Sequence, residues 1–392
     1  MHIKLFIHFL IVGLFISPVF AKQILVGVSA ALTGPSQKLG QDLLQGSEAY
    51  FKYINAKGGI HGQPIKLIIY DDQYNPKLTI QNTIQLIEKD KVDLLFGYTG
   101  TPTVTRILPL LKFYNNTYLF FPFTGAEPQR TPPYNNHTYN LRASYLEEVS
   151  GLVQNFIKLN RKRIAIFYQA DAYGRNGWDG VYKTLAKNNL SIVGEASYTR
   201  GSRFQESFQV QAGLIQKADP DAIIIIGSYE ASAGFIRDIR DLGVKAPIAN
   251  ISFVGSNRLL SQLQALEQES GKNYTENLIN SQVVPFYKDK TLPATREYHK
   301  LMKKAHAKPA INFVSFEGFL NAKLLVSILK ETTKPFSTAQ ISPILIKSKT
   351  YDIGIYRTIQ FNKSNQGLHR VYYTTIKKGR YHPLKDWKKW KK

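Results

Sequence analysis

Short apolar runs rich in β-branched and aromatic residues alternate along this chain with longer stretches of helical period. Ile24 to Ser29, Ile65 to Tyr70, Val92 to Phe96 and Leu119 to Phe121 are runs of the first kind. The stretches between them, of about 12 to 20 residues, repeat their apolar positions at helical spacing. A second series begins near Ser144, with a helical period before each of the runs Arg163 to Tyr168, Ser191 to Ser197, Ala222 to Ile226 and Pro247 to Ile251. Strand and helix in strict alternation predict parallel βαβ units, and hence an α/β protein of doubly wound sheets. The uninterrupted Ile223-Ile224-Ile225-Ile226 suits a strand covered on both faces by helices. After a helix from about Asn257 come an extended run, Asn277 to Pro285, and two strong helical patterns, Pro293 to Ala307 and Phe313 to Glu331.

Local signals punctuate these elements. Asn75-Pro76 and Thr101-Pro102 each place a capping side chain before a proline at the first helical position. Gly58-Gly59 supplies the left-handed backbone that ends a helix. The first residues carry one lysine, Lys4, then an apolar run from Leu5 to Ile16 and small residues at Val19 and Ala21. This pattern predicts a secretory signal, residues 1–21, cut after Ala21. Its apolar run is shorter than the roughly 20 residues that cross a bilayer. About 370 residues then remain, which at roughly 100 to 200 per domain predicts two domains. The first spans residues 22–143 and the second 144–279.

Composition narrows the chemistry. With no cysteine in the chain, disulfides, a thiol nucleophile, a thiolate metal site and a lipidated cysteine are all excluded. The mature protein is therefore expected to be exported, not a lipoprotein, and soluble in the periplasm. No HExxH, GxSxG, GxxxxGK or GxGxxG occurs, and the eight histidines are dispersed without metal-ligand spacing. Asp71 and Asp72, adjacent on a strand, point to opposite faces and suit a strand-end turn better than a metal or catalytic pair. No enzymatic activity, metal or cofactor is expected. The formal charge of +23 becomes +22 once Lys4 is removed. Its basic residues are scattered except at the end, Lys377-Lys378 and Trp387 to Lys392. A solvated tail accounts for that cluster, with a weak contact to an anionic membrane surface as the second reading. A nucleic-acid partner is not expected.

In open α/β sheets, ligands sit beyond the carboxyl ends of the strands. Four loops in that position carry polar or aromatic side chains: Gly97 to Thr103, Pro122 to Glu127, Gln169 to Gly174, and Gly227 to Glu230. The first combines free amides with the positive end of a helix and suits a carboxylate. In the second, Glu127 and Arg130 are spaced to pair with each other across the following turn.

The segment from Leu32, with LTGP, NAKGGIHG and YDDQYNP in succession, closely resembles the type I periplasmic solute-binding proteins of ABC importers. The likeness is strongest to the branched-chain amino acid (leucine/isoleucine/valine) binding family and covers nearly the whole mature chain. It implies two lobes joined by a three-strand hinge, closing on a small amino acid-like, amide or carboxylate ligand. It also implies a monomer that delivers this ligand to a membrane permease. Residues 280–350 would return to the first lobe, and 351–392 would cross once more with a closing hairpin and the basic tail. The resemblance places Thr101, flanked by Thr99 and Thr103, on the ligand carboxylate. Phe123 with Thr124 or Gly125 would meet the ammonium and carboxylate, Tyr173 and Tyr229 would cover the ligand, and Leu39 would form an apolar wall. In one place it fails. Where amino acid binders carry an acid that neutralises the ammonium, this chain has Phe253. A buried ammonium without a counter-charge is costly, so either Glu230 or Glu127 takes over or the ligand is not a free α-amino acid. The alternative function is a sensor module of the same bilobed build that reports such a ligand to a regulator.

Overall fold

The computed structural model describes residues 22–333, 336–346, 349–361 and 365–392, so the leader lies outside the described residues. The first sheet is wholly parallel. Its strands are β1 (Ile24–Ala30), β2 (Ile65–Asp71), β3 (Leu94–Phe96), β4 (Leu119–Phe120) and β5 (Thr138–Tyr139), in the order β2-β1-β3-β4-β5. The crossover helices are α1 (Gln37–Asn55), α2 (Pro76–Ile84) and α3 (Thr101–Tyr114). Asn75 caps α2 through Lys77 N–H with Pro76 in the first turn. The cap of α3 is Gly100, not Thr101, which lies inside the helix and keeps its hydroxyl for other uses.

The second lobe opens with α4 (Tyr145–Lys158), started by a capping box between Ser144 and Glu147. It continues through β6 (Ile164–Gln169), α5 (Ala172–Ala186), β7 (Ile192–Tyr198), α6 (Gln209–Lys217), β8 (Ala222–Ile226), α7 (Tyr229–Asp241), β9 (Ile248–Asn250), α8 (Ser256–Ser270) and β10 (Leu278–Gln282). All five residues of β8 are buried, as the isoleucine run requires.

β10 pairs in parallel with β9. The second lobe thus extends to Gln282, and the boundary placed after residue 279 falls inside a strand. The chain then returns to the first lobe with α9 (Pro293–Ala305) and α10 (Phe313–Leu329). α10 packs on α1 at very close range: a Cβ on Gly46 would stand 1.8 Å from the Ser315 carbonyl oxygen, and one on Gly318 would stand 2.0 Å from that of Leu43. The short α11 (Ile341–Ile346) and the hairpin of β11 (Thr350–Asp352) and β12 (Thr358–Gln360) follow. Tyr351, Ile359 and Phe361 bury into the first lobe's core, so the last crossing comes after Phe361, later than the sequence reading put it. β13 (Tyr372–Lys377) and β14 (Arg380–Pro383) then add antiparallel to β10, giving the seven-stranded order β14-β13-β10-β9-β8-β6-β7.

The first and last crossings run side by side. Asn140 N–H donates to the Asn365 carbonyl at 2.9 Å, and Gly367 and Leu368 N–H donate back to Asn140 and Leu141. Arg130 joins both. Its guanidinium donates to Gln366 Oε1 at 2.6 Å and to the Arg142 carbonyl at 3.2 Å. The expected Glu127 to Arg130 ion pair is absent from the described contacts, because these buried acceptors claim the guanidinium first.

The basic tail is folded and does not trail in solvent. Trp387 packs edge-on against Phe156 and Tyr373, and Trp390 is 2% exposed, donating to Asn277 Oδ1 at 3.0 Å. Lys392 pairs with Asp221. The tryptophans that a membrane-binding reading would place in lipid are spent on the second lobe. No described helix is long and apolar enough to cross a membrane.

Candidate functional site

The carboxyl ends of both sheets face each other, and the two lobes meet through side chains from the loops that follow the strands. Phe253 lies at the centre of this contact. It sits in a single 3₁₀ turn, Ser252–Val254, just after β9. Its ring lies 4.8 Å from that of Tyr173 in its own lobe, and 5.2 and 6.1 Å from Phe123 and Tyr74 of the other. The turn is pinned by Glu148, whose carboxylate accepts from Ser252 N–H at 2.8 Å, Ser252 Oγ at 2.9 Å and Ser281 Oγ. The sequence at 252–253 thus exchanges a carboxylate in the cleft for a ring held by a carboxylate behind it.

Hydroxyls gather at one end of the aromatic cluster. Thr101 Oγ1 and Thr124 Oγ1 are 2.7 Å apart and fully enclosed. The Tyr145 hydroxyl makes no well-formed hydrogen bond. Burial raises its pKa, while Arg142 and the two threonine hydroxyls pull it down. Thr99 Oγ1, also buried, has no hydrogen-bond partner among the described residues. Thr103 departs from the expected role. Its hydroxyl bonds back to the carbonyls of Thr99 and Gly100, as β-branched hydroxyls in a first helical turn do, and is not available to a ligand. Phe123 and Thr99 form an isolated parallel bridge that aligns their loops. The Gly125 carbonyl accepts from Tyr145 N–H at 2.7 Å. Gly100 has φ of +100°, and a Cβ there would stand 2.0 Å from the Tyr74 ring, so only glycine lets the two loops close.

Tyr173 is fully buried, with its hydroxyl 3.3 Å from the Gly227 carbonyl, and Asp171 caps its helix through Tyr173 N–H. Tyr229 and Leu39 form a neighbouring contact across the lobes, where Leu39 also packs against Gly255. Glu230 does not enter the cleft. Its oxygens accept from Phe204 N–H and Gln262 Nε2, both at 2.9 Å, because a carboxylate in the first turn of α7 reaches the β7–α6 loop and α8 more readily than the cleft. Glu127, half-buried, has its carboxyl raised by burial and lowered by the nearby Arg130 charge and Ser144, and its Oε1 makes no hydrogen bond with a described residue.

Three cluster residues were not anticipated. Tyr74, in the YDDQYNP motif, adopts φ of +60° and is held by its N–H to Asp72 at 2.9 Å. Asp72 is fully buried and also accepts from Ser29 and Thr79. Burial pushes its carboxyl up to about 6, against the pull of these hydrogen bonds. Tyr145 and Arg142 come from the first crossing. The Arg142 guanidinium lies 4.8 Å from the centre of the Phe123 ring and donates to Ser252 Oγ. It stands 3.7 Å from Glu148 and 3.6 Å from Glu317. Nε and Nη1 make no hydrogen bond with any described residue. Burial pushes the Glu317 carboxyl up to about 7, against the pull of Arg142. No other signal in the sequence marks these residues, apart from the capping box beside Tyr145.

The chain's kinship accords with this geometry. Residues 23–380 match the family model described as periplasmic binding protein. The Leu/Ile/Val-binding protein of Citrobacter freundii is 26% identical over 282 residues, 69% of this chain and 74% of that protein. Among solved structures, one described as a possible leucine/isoleucine/valine-binding protein from Rhodopirellula baltica SH 1 superposes with a TM-score of 0.86 at 28% identity, covering 94% of this chain and 98% of the other. A branched chain amino acid ABC transporter protein from Thermus thermophilus with bound valine shares the fold at a TM-score of 0.80 and 18% identity, over 93% and 96% of the two chains. This chain belongs to the periplasmic binding protein family, whose members bind solutes and carry out no chemistry.

Proposed function

We propose that this protein is the solute-binding component of an ABC importer and that its solute is a small carboxylate with an apolar or planar body and no free ammonium. The observation that carries this reading is Phe253 in the middle of the interlobe cluster, surrounded by Tyr74, Phe123 and Tyr173. Three carboxylates on the framing elements are already committed. Glu230 holds Phe204 and Gln262, Glu148 holds the 252 turn, and Asp171 bonds Arg200, Gln169 and its own helix. A zwitterion would bring an ammonium to a place without a counter-charge, at a cost of several kcal/mol. A carboxylate, in contrast, would find the hydroxyls of Thr101, Thr124 and Tyr145 and the unpartnered Thr99 Oγ1. Leu39 and Tyr229 extend the apolar wall in this reading, and Gly125 supports Tyr145 from behind. The protein acts as a monomer in the periplasm after its leader is cut following Ala21. Its relatives' names favour transport over sensing.

Matched pairs test the ligand. Leucine and 4-methyl-2-oxopentanoate share a carboxylate and side chain and differ at the α position. The oxo acid, and likewise those of valine and isoleucine, should raise the melting temperature more than the amino acid. The double variant Thr101→Val, Tyr173→Ala should abolish the rise while keeping the native circular dichroism spectrum. Submicromolar affinity for leucine, retained in Glu230→Gln, would overturn the reading.

A further inference from the structure

A cavity of about 890 Å³ lies at the mouth of the cleft, between the lobes. The first lobe lines it with Asn75, Lys77 and Arg106, the second with Asp171, Arg175 and Arg200, and mostly small or apolar side chains such as Pro102 and Ala172 complete the lining. Its lining is strongly one-sided in charge, with four cations and one carboxylate. That carboxylate, Asp171, is taken by Arg200 at 3.0 Å. The side chains of Lys77, Arg106 and Arg175 make no hydrogen bond or ion pair with any described residue. At three loops, neighbouring residues divide between cavity and cluster: Asn75 beside Tyr74, Pro102 beside Thr101, and Ala172 beside Tyr173. The guanidinium of Arg200, 5.9 Å from the centre of the Tyr74 ring, links the two spaces.

From this arrangement we infer that the cavity is a second, anionic subsite that takes a compact oxyanion group, a phosphate or a carboxylate. Closing the lobes brings Lys77 and Arg106 toward Arg175 and Arg200, four like charges around one space, and their repulsion opposes closure. An anion between them converts that repulsion into attraction to both lobes at once, so its binding and closure favour each other. The N-terminal turns of α2, α3 and α5 end at the same cavity, adding to the positive field. The cations are largely exposed, so the site works at modest affinity and weakens with salt. The anionic group has two possible sources, a free oxyanion or the far end of the carboxylate solute. Only the second rests on the reading of the cleft given above.

Calorimetric titration of the whole protein at low and high ionic strength separates the cases, with inorganic phosphate as the free probe and glutarate against butyrate as the solute pair. Phosphate binding that weakens with salt, and by about tenfold or more in Arg106→Ser with Arg175→Ser, supports a free oxyanion. If phosphate does not bind, a gain of glutarate over butyrate that vanishes in the same double variant assigns the group to the solute. In either case Arg163→Ser with Lys187→Ser, outside the cavity lining, should leave binding unchanged. Absence of both phosphate binding and any gain from the second carboxylate overturns the subsite. Phosphate binding that survives while no carboxylate in the matched-pair panel binds overturns the cleft reading alone.

Discussion

Truncating Phe253 separates a ring that belongs to the cleft from one that belongs to the core. Phe253 and Phe235 are both fully buried phenylalanines of the second lobe. Phe235 stacks on Phe167 at 4.0 Å, wholly inside that lobe. Phe235→Ala should therefore cost about 3–5 kcal/mol of unfolding free energy, the usual result of emptying a packed core. Two of the three ring partners of Phe253, Tyr74 and Phe123, lie across the cleft. At about 0.5–1.5 kcal/mol per aromatic pair, Phe253→Ala removes about 1–3 kcal/mol from the closed, solute-bound state. The same amount is about a five- to 150-fold loss of affinity. The open lobe loses only the Tyr173 pair and whatever ring surface stays covered there. Urea unfolding of the free protein and calorimetry with the most stabilising carboxylate of the panel, run on both variants, give the comparison. Phe253→Ala should show the smaller drop in unfolding free energy and the larger drop in affinity. An equal drop in unfolding free energy with unchanged affinity would make Phe253 an ordinary core residue and displace the site.

Other outcomes follow from the same geometry. Gly100→Ala forces a Cβ against the Tyr74 ring at a positive φ, so solute affinity measured by calorimetry should fall by about 1–3 kcal/mol with little change in circular dichroism. Trp390→Ala opens a hole under the tail and should cost about 3–5 kcal/mol in urea unfolding, leaving solute affinity within error of wild type. Glu317, raised from 4.5 to about 7 by burial, holds its proton more tightly folded than unfolded. Its contribution is complete below the ordinary carboxylate range and lost as pH rises through about 7, about 3 kcal/mol in all. Glu317→Gln should flatten the fall in melting temperature between about pH 5 and 8, and a slope equal to wild type would refute this assignment.

How much of this was legible depends on whether the cause lay near in sequence. The isoleucines of β8 and the alternation of strand and helix dictate the two sheets, because each element buries a pattern of its own. Phe253 could be found because a loop directly after a strand must face the ligand side. Arg142 could not be. Only the crossing places it over Phe123, and a domain boundary after residue 143 does not say which way the Arg142 side chain turns. Tyr74 was hidden for a different reason, since a tyrosine two residues after Asp72 reads as turn, and its left-handed backbone is set by the Asp72 carboxylate. Glu230 illustrates the limit of register arguments. It follows β8 in the first turn of α7, but a carboxylate on a helix end chooses among partners that only tertiary packing supplies. In the tail, two tryptophans among lysines fit a lipid surface as well as a packed edge, and the choice rests on Phe156, more than 200 residues earlier.

The charge of +22 that the tail alone could not explain acquires a place in the cleft. At the mouth stand four cations around one cavity. At the floor, Arg142 is flanked by Glu148 and Glu317. If both glutamates were ionised the floor would carry a net negative charge and repel a carboxylate. Burial raises the carboxyls of both Glu317, to about 7, and Glu148, while Arg142 and Arg130 supply positive charge beside Glu317, so the floor does not carry the full negative charge of two carboxylates. An anionic solute therefore meets attraction at the entrance and a reduced opposing charge beneath the hydroxyls. The two ends act on different rates. The exposed mouth governs capture, which falls with salt, while the buried cluster governs release, which does not. As pH rises past about 7, Glu317 ionises and the floor becomes more negative. Release should then quicken while capture is unchanged, an ordering that a cleft built for a zwitterion, with its own carboxylate already facing the ligand, would not produce.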